Sequence, residues 1–224
     1  MEGILVAIDG PAGSGKSSVA RSVAARLGVV NLNTGAAYRA VALLALERAV
    51  DAGDARALAE LAREVALLPD GVRIGGAEVE EGRLRTPEVA AAASRVSAHP
   101  EVRRVLLDVQ REAAARARAE GGAVVEGRDI GTVVLPDAEL KIFLQAAPEE
   151  RARRRARQTG REDELERIQA AMTTRDRQDS ERQSAPLKAA EDAVVLDTTA
   201  LSLPDVVQKV LDLARDVSTA KQGA

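Results

Sequence analysis

Short, mostly apolar runs alternate with segments of helical periodicity along most of the chain. Five such runs stand out, at residues 3–9, 29–33, 123–126, 139–144 and 193–197. Runs of this kind are typical of parallel strands that are buried on both faces. Between them the apolar residues recur at helical spacing, which favours helices packed on the strands. The alternation predicts an α/β fold of three layers (α/β/α), in which helices cover both faces of a five-stranded parallel sheet.

Two segments interrupt this alternation. Residues 72–79 form two short alternating runs around a Gly-Gly pair, which predicts a small β insertion at residues 69–86. Residues 151–178 combine closely spaced arginines, a loop and a second helical stretch, and we interpret them as an arginine-rich lid. The core is then formed by residues 1–68, 87–150 and 179–224, and the whole chain, 1–224, is one domain.

Capping residues predict several helix boundaries. Gly28 ends the first helix, and Asp54 begins a helix that we expect to run through Leu68. Ser202 and Asp205 form a capping box at the start of the last helix, which we expect to reach about residue 217, with 218–224 frayed.

Composition narrows the class of protein. The 224 residues include no cysteine and carry a formal net charge of −3. No segment has the pattern of a signal peptide or a membrane span, so we expect a cytoplasmic monomer with no membrane partner. The weak negative charge argues against a nucleic-acid partner. Nearly all basic residues are arginine, which coding composition, adaptation to heat or phosphate recognition would each explain.

One stretch carries a complete phosphate-binding signature. The segment from Gly10 to Ser17 lies between the first strand and the first helix and reads G-x-x-x-x-G-K-S, the P-loop pattern. Its backbone N–H groups turn around an anion, and the helix N-terminus adds a positive dipole end. Lys16 is placed to reach the β- and γ-phosphates, and Ser17 to ligate Mg²⁺. The expected ATP-binding residues are Gly10, Pro11, Ala12, Gly13, Ser14, Gly15, Lys16, Ser17 and Ser18.

Further motifs narrow the choice among P-loop proteins. The guanine-reading motif Asn-Lys-x-Asp is absent, and the chain is too short for a motor or a transporter. Four other motifs occur in order: Asn33-Thr-Gly-Ala-Ala-Tyr-Arg39, Thr86-Pro-Glu-Val-Ala90, Val125-Glu-Gly-Arg-Asp-Ile-Gly-Thr-Val133 and Arg175-Asp-x-x-Asp-Ser-x-Arg182. Together they resemble the bacterial cytidylate kinase family, from about Gly3 to Val217. The resemblance implies phosphorylation of CMP and dCMP to CDP and dCDP, with ATP as donor and Mg²⁺ as cofactor.

Arg128 has a physical interpretation of its own. It follows a predicted strand at the carboxyl edge of the sheet, where α/β proteins bind ligands, so its guanidinium is placed to grip a phosphate. A surface salt bridge, for example to Asp137, is the alternative. The resemblance implies the phosphate contact and adds Arg39 as a second clamp, although Arg39 alone would be an ordinary helix residue.

The resemblance also assigns base and sugar recognition. Asp129 would accept from the N4 amino group of cytosine, while Ser94 and Arg103 would satisfy N3 and O2. By residue type alone, Ser94 and Arg103 belong on a helix surface, and Asp129 stabilises a turn. The remaining implied acceptor-site residues are Arg175 and Asp179 for the sugar, Arg182 for phosphate, and Thr34.

Catalysis is expected to come from positioning and charge, with no covalent intermediate. Lys16 and Arg128 would neutralise the transferring group together with three lid arginines, Arg151, Arg154 and Arg155. Glu126 ends a strand at the place of a Walker-B carboxylate and would hold Mg²⁺ through a water. His99, the single histidine, is interpreted as a turn residue.

The sequence departs from the family pattern at two places, and two alternative functions stay open. Asn33 stands where the family has Asp, and the insertion before Thr86 is short. The alternatives are a kinase for another small acceptor, such as a different nucleotide or dephospho-coenzyme A, and a switch in which ATP orders the arginine-rich segment for a protein or RNA partner.

Overall fold

Five strands form one parallel sheet at the centre of the molecule. The computed structural model describes residues 3–222, with side chains through residue 219. The described residues form eight strands in two sheets: β1 (Ile4–Asp9), β2 (Val30–Asn33), β3 (Val65–Leu68), β4 (Gly71–Ile74), β5 (Ala77–Glu78), β6 (Gly122–Glu126), β7 (Leu140–Gln145) and β8 (Val194–Asp197). The central sheet has the order β2-β6-β1-β7-β8, and every pair in it is parallel. The predicted five-stranded parallel sheet is therefore confirmed.

Helices cover both faces of this sheet. They are α1 (Lys16–Leu27), α2 (Thr34–Glu47), α3 (Ala55–Ala62), α4 (Glu81–Leu84), α5 (Pro87–Val96), α6 (Pro100–Ala119), α7 (Pro148–Thr159), α8 (Leu165–Ser180) and α9 (Leu203–Gln222). A five-residue π-helical turn spans Ile130–Val134, and a short 3₁₀ turn spans Glu162–Glu164. None of the helices in the described part of the chain is long and apolar enough to cross a membrane.

The side chains of β1 alternate between two cores. Leu5 and Ala7 pack in a core built mainly with α2, α3, α5 and α6. Val6 and Ile8 pack in a second core with α1 and α9. This alternation follows from the two-residue period of a strand, and it produces the predicted three layers.

The register of the strands aligns their carboxyl ends. Ile8 of β1 lies opposite Glu126 of β6, and Asn33 of β2 lies opposite the same Glu126. Parallel pairing therefore collects the ends of β1, β2 and β6 at one edge of the sheet, where the predicted functional motifs begin.

Three boundaries differ from the predictions. The helix that Asp54 caps ends at Ala62 instead of Leu68, because Val65–Leu68 forms strand β3 in a three-stranded antiparallel sheet with β4 and β5. The insertion consequently begins at Val65 and not at residue 69. The last helix continues to Gln222, beyond the expected end near residue 217, and the predicted fraying at 223–224 lies outside the described residues.

Core packing yields a stability prediction. Leu106 of α6 is fully buried, whereas Leu46 of α2 is 38% exposed. We expect Leu106→Ala to lower the free energy of unfolding by about 2–5 kcal/mol, because it removes buried apolar contacts and leaves a cavity. Leu46→Ala, the control, should change it by less than about 1 kcal/mol. Guanidinium titration followed by circular dichroism measures both; equal effects would contradict the assignment of Leu106 to the core.

Candidate active site

The P-loop joins the central strand β1 to helix α1. Gly13 and Gly15 have φ angles of 72° and 91°, in the left-handed region that favours glycine. A Cβ at Gly10 would lie 2.1 Å from the carbonyl oxygen of Leu144, so only glycine lets the loop pass this close to β7. The first turn of α1 holds no acidic residue. Its positive dipole end is therefore open to an anion.

Lys16 is buried at the base of this loop. Its Nζ donates a hydrogen bond to the carbonyl oxygen of Pro11 at 2.7 Å. Burial lowers the pKa of the ammonium well below its usual value, and nearby Arg128 lowers it further, while Glu126 and Asp9 act in the opposite direction. A buried cation in this position is stabilised by an anion that enters the loop.

Ser17 and Glu126 form a candidate metal site. The Ser17 hydroxyl donates to Glu126 Oε2 at 2.8 Å, whereas the buried Glu126 Oε1 has no hydrogen-bond partner among the described residues. The described residues contain no group of three or more His, Cys, Asp or Glu side chains that could hold a metal. One hydroxyl and one carboxylate fit Mg²⁺, which takes most of its other ligands from water and substrate phosphates.

Arg128 faces α8 across the mouth of the site. Its Nε donates to Asp179 Oδ2 at 3.0 Å, and Arg182 donates to the other oxygen of the same carboxylate. Burial alone would raise the pKa of Asp179, but Arg128, Arg182 and Arg175 together hold it below its usual value. The alternative salt bridge to Asp137 is therefore not the one that forms.

Arg103 and Asp129 form a buried ion pair. Arg103 donates to Asp129 Oδ2 at 2.5 Å, and both side chains are only 9% exposed. The guanidinium of Arg103 also lies over the ring of Tyr38, 5.6 Å from its centroid. The interpretation of Arg103 as a helix-surface residue is thus wrong. A carboxylate and a guanidinium presented side by side suit a ring that offers both a donor and acceptors.

Ser94 lies on a cavity next to α8. The cavity has a volume of about 380 Å³, and its lining includes Ser94, Asp179 and Arg182. The structure therefore brings Ser94 of α5 near Asp179 and Arg182, although these residues are far apart in sequence.

Several arginines converge without enough carboxylates to pair them. Burial lowers the pKa of Arg39 to about 10; Glu126 opposes this, and Arg85 adds to it. Burial and Arg128 lower the pKa of Arg175, and burial and Arg85 lower that of Arg155. The Nε atoms of Arg39 and Arg175 have no hydrogen-bond partner among the described residues. We call Arg39, Arg85, Arg128, Arg155 and Arg175 the arginine cluster; it has the charge of a phosphate site.

Arg85 of this cluster was missed by sequence reasoning. It follows α4 and its Nε donates to Glu81 at 2.8 Å. The available signal was its position directly before the motif Thr86–Ala90, whose Thr86-Pro87 pair begins α5.

Two of the three expected lid arginines have other partners. Arg151 donates to the carbonyl oxygens of Ala146 and Ala12 at 2.9 and 3.1 Å, and it pairs with Asp176. Arg154 donates to Glu150 at 3.1 Å and to the Thr198 hydroxyl at 3.0 Å. In this structure Arg151 and Arg154 contact the protein's own groups, whereas Arg155 joins the arginine cluster. The expected catalytic role of Arg151 and Arg154 stays a prediction.

Thr34 and Asn33 support the neighbouring elements. The buried Thr34 hydroxyl donates to the carbonyl oxygen of Glu126 at 2.8 Å, which ties the start of α2 to the end of β6. The Asn33 oxygen accepts from Arg39 at 3.4 Å. His99 precedes α6, and its Nε2 lies 2.7 Å from the carbonyl oxygen of Ala52, in agreement with a turn residue.

A P-loop on the central strand, with the buried Lys16 near Arg128 and Arg175, defines the class of P-loop phosphotransferases. Within that class the chain belongs to the cytidylate kinase family, whose sequence model matches residues 6–216.

Two proteins named cytidylate kinase align with this chain over nearly its full length. Cytidylate kinase from Mycobacterium leprae (strain Br4923) is 47% identical over 225 residues, which cover 98% of this chain and 99% of that protein. Cytidylate kinase from Solibacter usitatus (strain Ellin6076) is 45% identical over 219 residues, covering 95% and 92%. A crystal structure of an uncharacterized protein from Eubacterium ventriosum matches with a TM-score of 0.53 at 12% identity, covering 95% of this chain and 98% of that one. This last likeness supports the fold alone.

The burial of Lys16 yields a prediction that separates stability from binding. Because the folded pKa lies below the unfolded one, the charge at neutral pH costs folding free energy. Lys16→Met should therefore unfold at a guanidinium concentration no lower than the wild type, yet bind ATP at least about 100-fold more weakly in calorimetry. Lys209→Met, an exposed control on α9, should change neither. Wild-type ATP affinity in Lys16→Met would contradict the assignment of the loop to phosphate.

Proposed function

We propose that this chain transfers the γ-phosphoryl group of ATP to CMP or dCMP, giving ADP and CDP or dCDP. The observation that carries the proposal is the buried Arg103–Asp129 pair, which lies one residue from Arg128 at the edge of the sheet that holds the P-loop. The full-length similarity to proteins named cytidylate kinase supports it further. We propose a single domain, 1–224, that acts as a monomer in the cytoplasm, with no nucleic-acid or membrane partner.

In this proposal the P-loop binds the donor. Backbone N–H groups of the P-loop, to which Pro11 cannot contribute, would surround the β-phosphate, and Lys16 would contact the phosphates that separate during transfer. Ser17 would ligate Mg²⁺ directly, and Glu126 would hold it through a water, with the unpartnered Glu126 Oε1 as the acceptor. When bound, Mg²⁺ neutralises charge on the donor phosphates.

Four members of the arginine cluster, all except Arg175, receive the phosphate of the acceptor. Arg39 and Arg128 grip it, and Arg155 and Arg85 approach from the lid and the insertion. Their converging positive charge stabilises the charge on the transferring group more strongly in the transition state than in the ground state. Arg151 and Arg154 are then positioning residues, since their hydrogen bonds to Ala12 and Thr198 hold the loops on either side.

Asp129, Arg103 and Ser94 read the base. The Asp129 carboxylate accepts from the N4 amino group of cytosine, while Arg103 and Ser94 donate to its acceptor atoms. Uracil presents O4 to the same carboxylate, so two acceptors would meet. Leaving such buried groups unpaired can reject an analogue by roughly 10⁴-fold. Arg175 and Asp179 contact the sugar, Arg182 the phosphates, and Thr34 keeps the end of β6 in place.

The functional proposal predicts different kinetic effects for substitutions at the neighbouring residues Arg128 and Asp129. Arg128→Ala should lower kcat by several orders of magnitude with CMP and UMP alike, because it removes charge from the transition state. Asp129→Ala should mainly raise KM for CMP and narrow the CMP-to-UMP ratio of kcat/KM, because the acceptor that favours N4 is gone. A coupled assay of ADP release with CMP, UMP and AMP measures both variants and the wild type.

The exposed Asp137 serves as the control, since Asp137→Ala removes a carboxylate from the same region without touching the site. An unchanged CMP-to-UMP ratio in Asp129→Ala would move base recognition to Ser94 or Arg103. Slow ATP hydrolysis with no phosphorylation of any monophosphate would instead favour the nucleotide-dependent switch.

The lid of residues 151–178 yields a further prediction. Met172 and Asp176 of α8 contact the P-loop at Gly13 and Ala12. Bound ATP would add phosphate contacts to Arg155 and hold the lid against this loop. We expect CMP with a nonhydrolysable ATP analogue to slow tryptic cleavage after Arg157 and Arg161, as followed by mass spectrometry, and CMP alone to protect less. The same cleavage rate with and without the analogue would contradict lid closure.

A further inference from the structure

Asp9 occupies the last position of β1, directly before the P-loop, and is only 4% exposed. It accepts two backbone hydrogen bonds, from Ile130 N to Oδ1 and from Gly131 N to Oδ2, each at 2.8 Å. None of the motifs considered in the sequence included this residue. We propose that Asp9 is a positioning residue for the acceptor nucleotide, because its carboxylate fixes the turn that presents Arg128 and Asp129.

The turn is held on both sides of these two residues. On the other side, Gly127 N donates to the carbonyl oxygen of Ile8 at 3.0 Å. Arg128 and Asp129 are therefore the short span between two attachments, and both attachments come from the last two residues of β1. From this span Arg128 reaches towards Asp179 and Asp129 towards Arg103.

The local backbone needs this support. Ile130–Val134 is a π-helical turn, in which the Asp129 carbonyl oxygen accepts from both Val133 and Val134, at 2.9 and 3.1 Å. Such a turn is intrinsically less favourable than an α-helix, and its first N–H groups have no partner within the turn itself. The two oxygens of Asp9 supply those partners inside the protein, where unpaired N–H groups would destabilise the fold.

Charge explains why a carboxylate does this better than an amide. Burial raises the pKa of Asp9 to about 6, with the two N–H groups and Lys16 lowering it and the Asp129 charge raising it. At neutral pH both oxygens are therefore acceptors. Asparagine has one acceptor oxygen, and its NH₂ group would face the second N–H group donor to donor.

Since Gly10 follows Asp9 directly, one strand end supports the donor loop and the acceptor turn together. The inference rests on the proposed roles of Arg128 and Asp129. It goes beyond them in naming the residue that sets their common orientation.

The test compares Asp9→Asn and Asp9→Ser with a matched control. Serine is smaller than aspartate and keeps one acceptor, so it guards against a failure of the asparagine variant to fold. The control is Glu139→Gln, which alters another buried carboxylate that accepts from the backbone of β1, at Leu5 N, 2.9 Å away, near the opposite end of the strand.

For the Asp9 variants we expect a KM for CMP raised at least about 10-fold and a KM for ATP changed less than about 3-fold. The CMP-to-UMP ratio of kcat/KM should fall about 10-fold, and amide exchange in residues 127–135 should accelerate. Glu139→Gln should lower the unfolding temperature and change none of these quantities.

The inference is overturned if the Asp9 variants keep the wild-type KM for CMP, or if exchange in residues 127–135 is unchanged. It is also overturned if Glu139→Gln reproduces their kinetic pattern, since a general loss of stability would then suffice. Amide exchange is measured without substrate, so it tests the role of Asp9 independently of the assignment of Asp129 to base recognition. That assignment fails only if Asp129→Ala keeps the wild-type CMP-to-UMP ratio of kcat/KM.

Discussion

Parallel pairing of β1 with β6 is the constraint on which the rest of the site depends. Because both strands run in the same direction, their carboxyl ends meet at one edge of the sheet, and the register sets Ile8 opposite Glu126. The P-loop leaves one strand and the turn with Arg128 and Asp129 leaves the other. The P-loop and this turn, the proposed donor and acceptor sites, are therefore neighbours as a consequence of backbone hydrogen bonds, before any side chain contributes.

The second constraint is electrostatic. The arginine cluster brings like charges close together, and burial and mutual repulsion lower the pKa values of Arg39, Arg155 and Arg175. Such an arrangement costs folding free energy without anions and is relieved when phosphates bind. In the proposed mechanism this loss of stability gives a site whose charge is already oriented when the substrate arrives, as expected for phosphoryl transfer.

The sequence predicted the features that depend on local patterns. The five strands, the P-loop and the order of the motifs are all legible in runs of neighbouring residues, and the parallel sheet is confirmed. The expectation of burial on both faces fails for the edge strand β8, where Val195 is 48% exposed. The predicted end of α3 was wrong because the apolar pattern of Val65–Leu68 suits either a helix or a strand. The pairing of this segment with β4 makes it a strand.

The contacts that sequence reasoning missed are nonlocal. Arg151 and Arg155 lie on one helix and are chemically identical, yet one pairs with Asp176 against the P-loop and the other faces Arg85. Likewise, Arg103 reads as a surface residue until α6 is packed beside the turn that carries Asp129. Helical spacing determines the face on which a side chain lies, whereas its partner depends on how the elements pack.

Asp179 shows how one such nonlocal contact links parts of the mechanism. Its carboxylate pairs with Arg128 from the sheet edge and with Arg182 just beyond α8, so it joins the Arg128–Asp129 turn to the end of α8. Asp9 attaches the same turn to the end of β1 through hydrogen bonds from Ile130 N and Gly131 N. The turn that carries Arg128 is thereby attached to the strand before the P-loop through Asp9 and to α8 through Asp179. A shift of α8 would consequently act on Arg128, the residue proposed to grip the acceptor phosphate, while the two backbone hydrogen bonds to Asp9 keep the turn that carries Arg128 next to the P-loop.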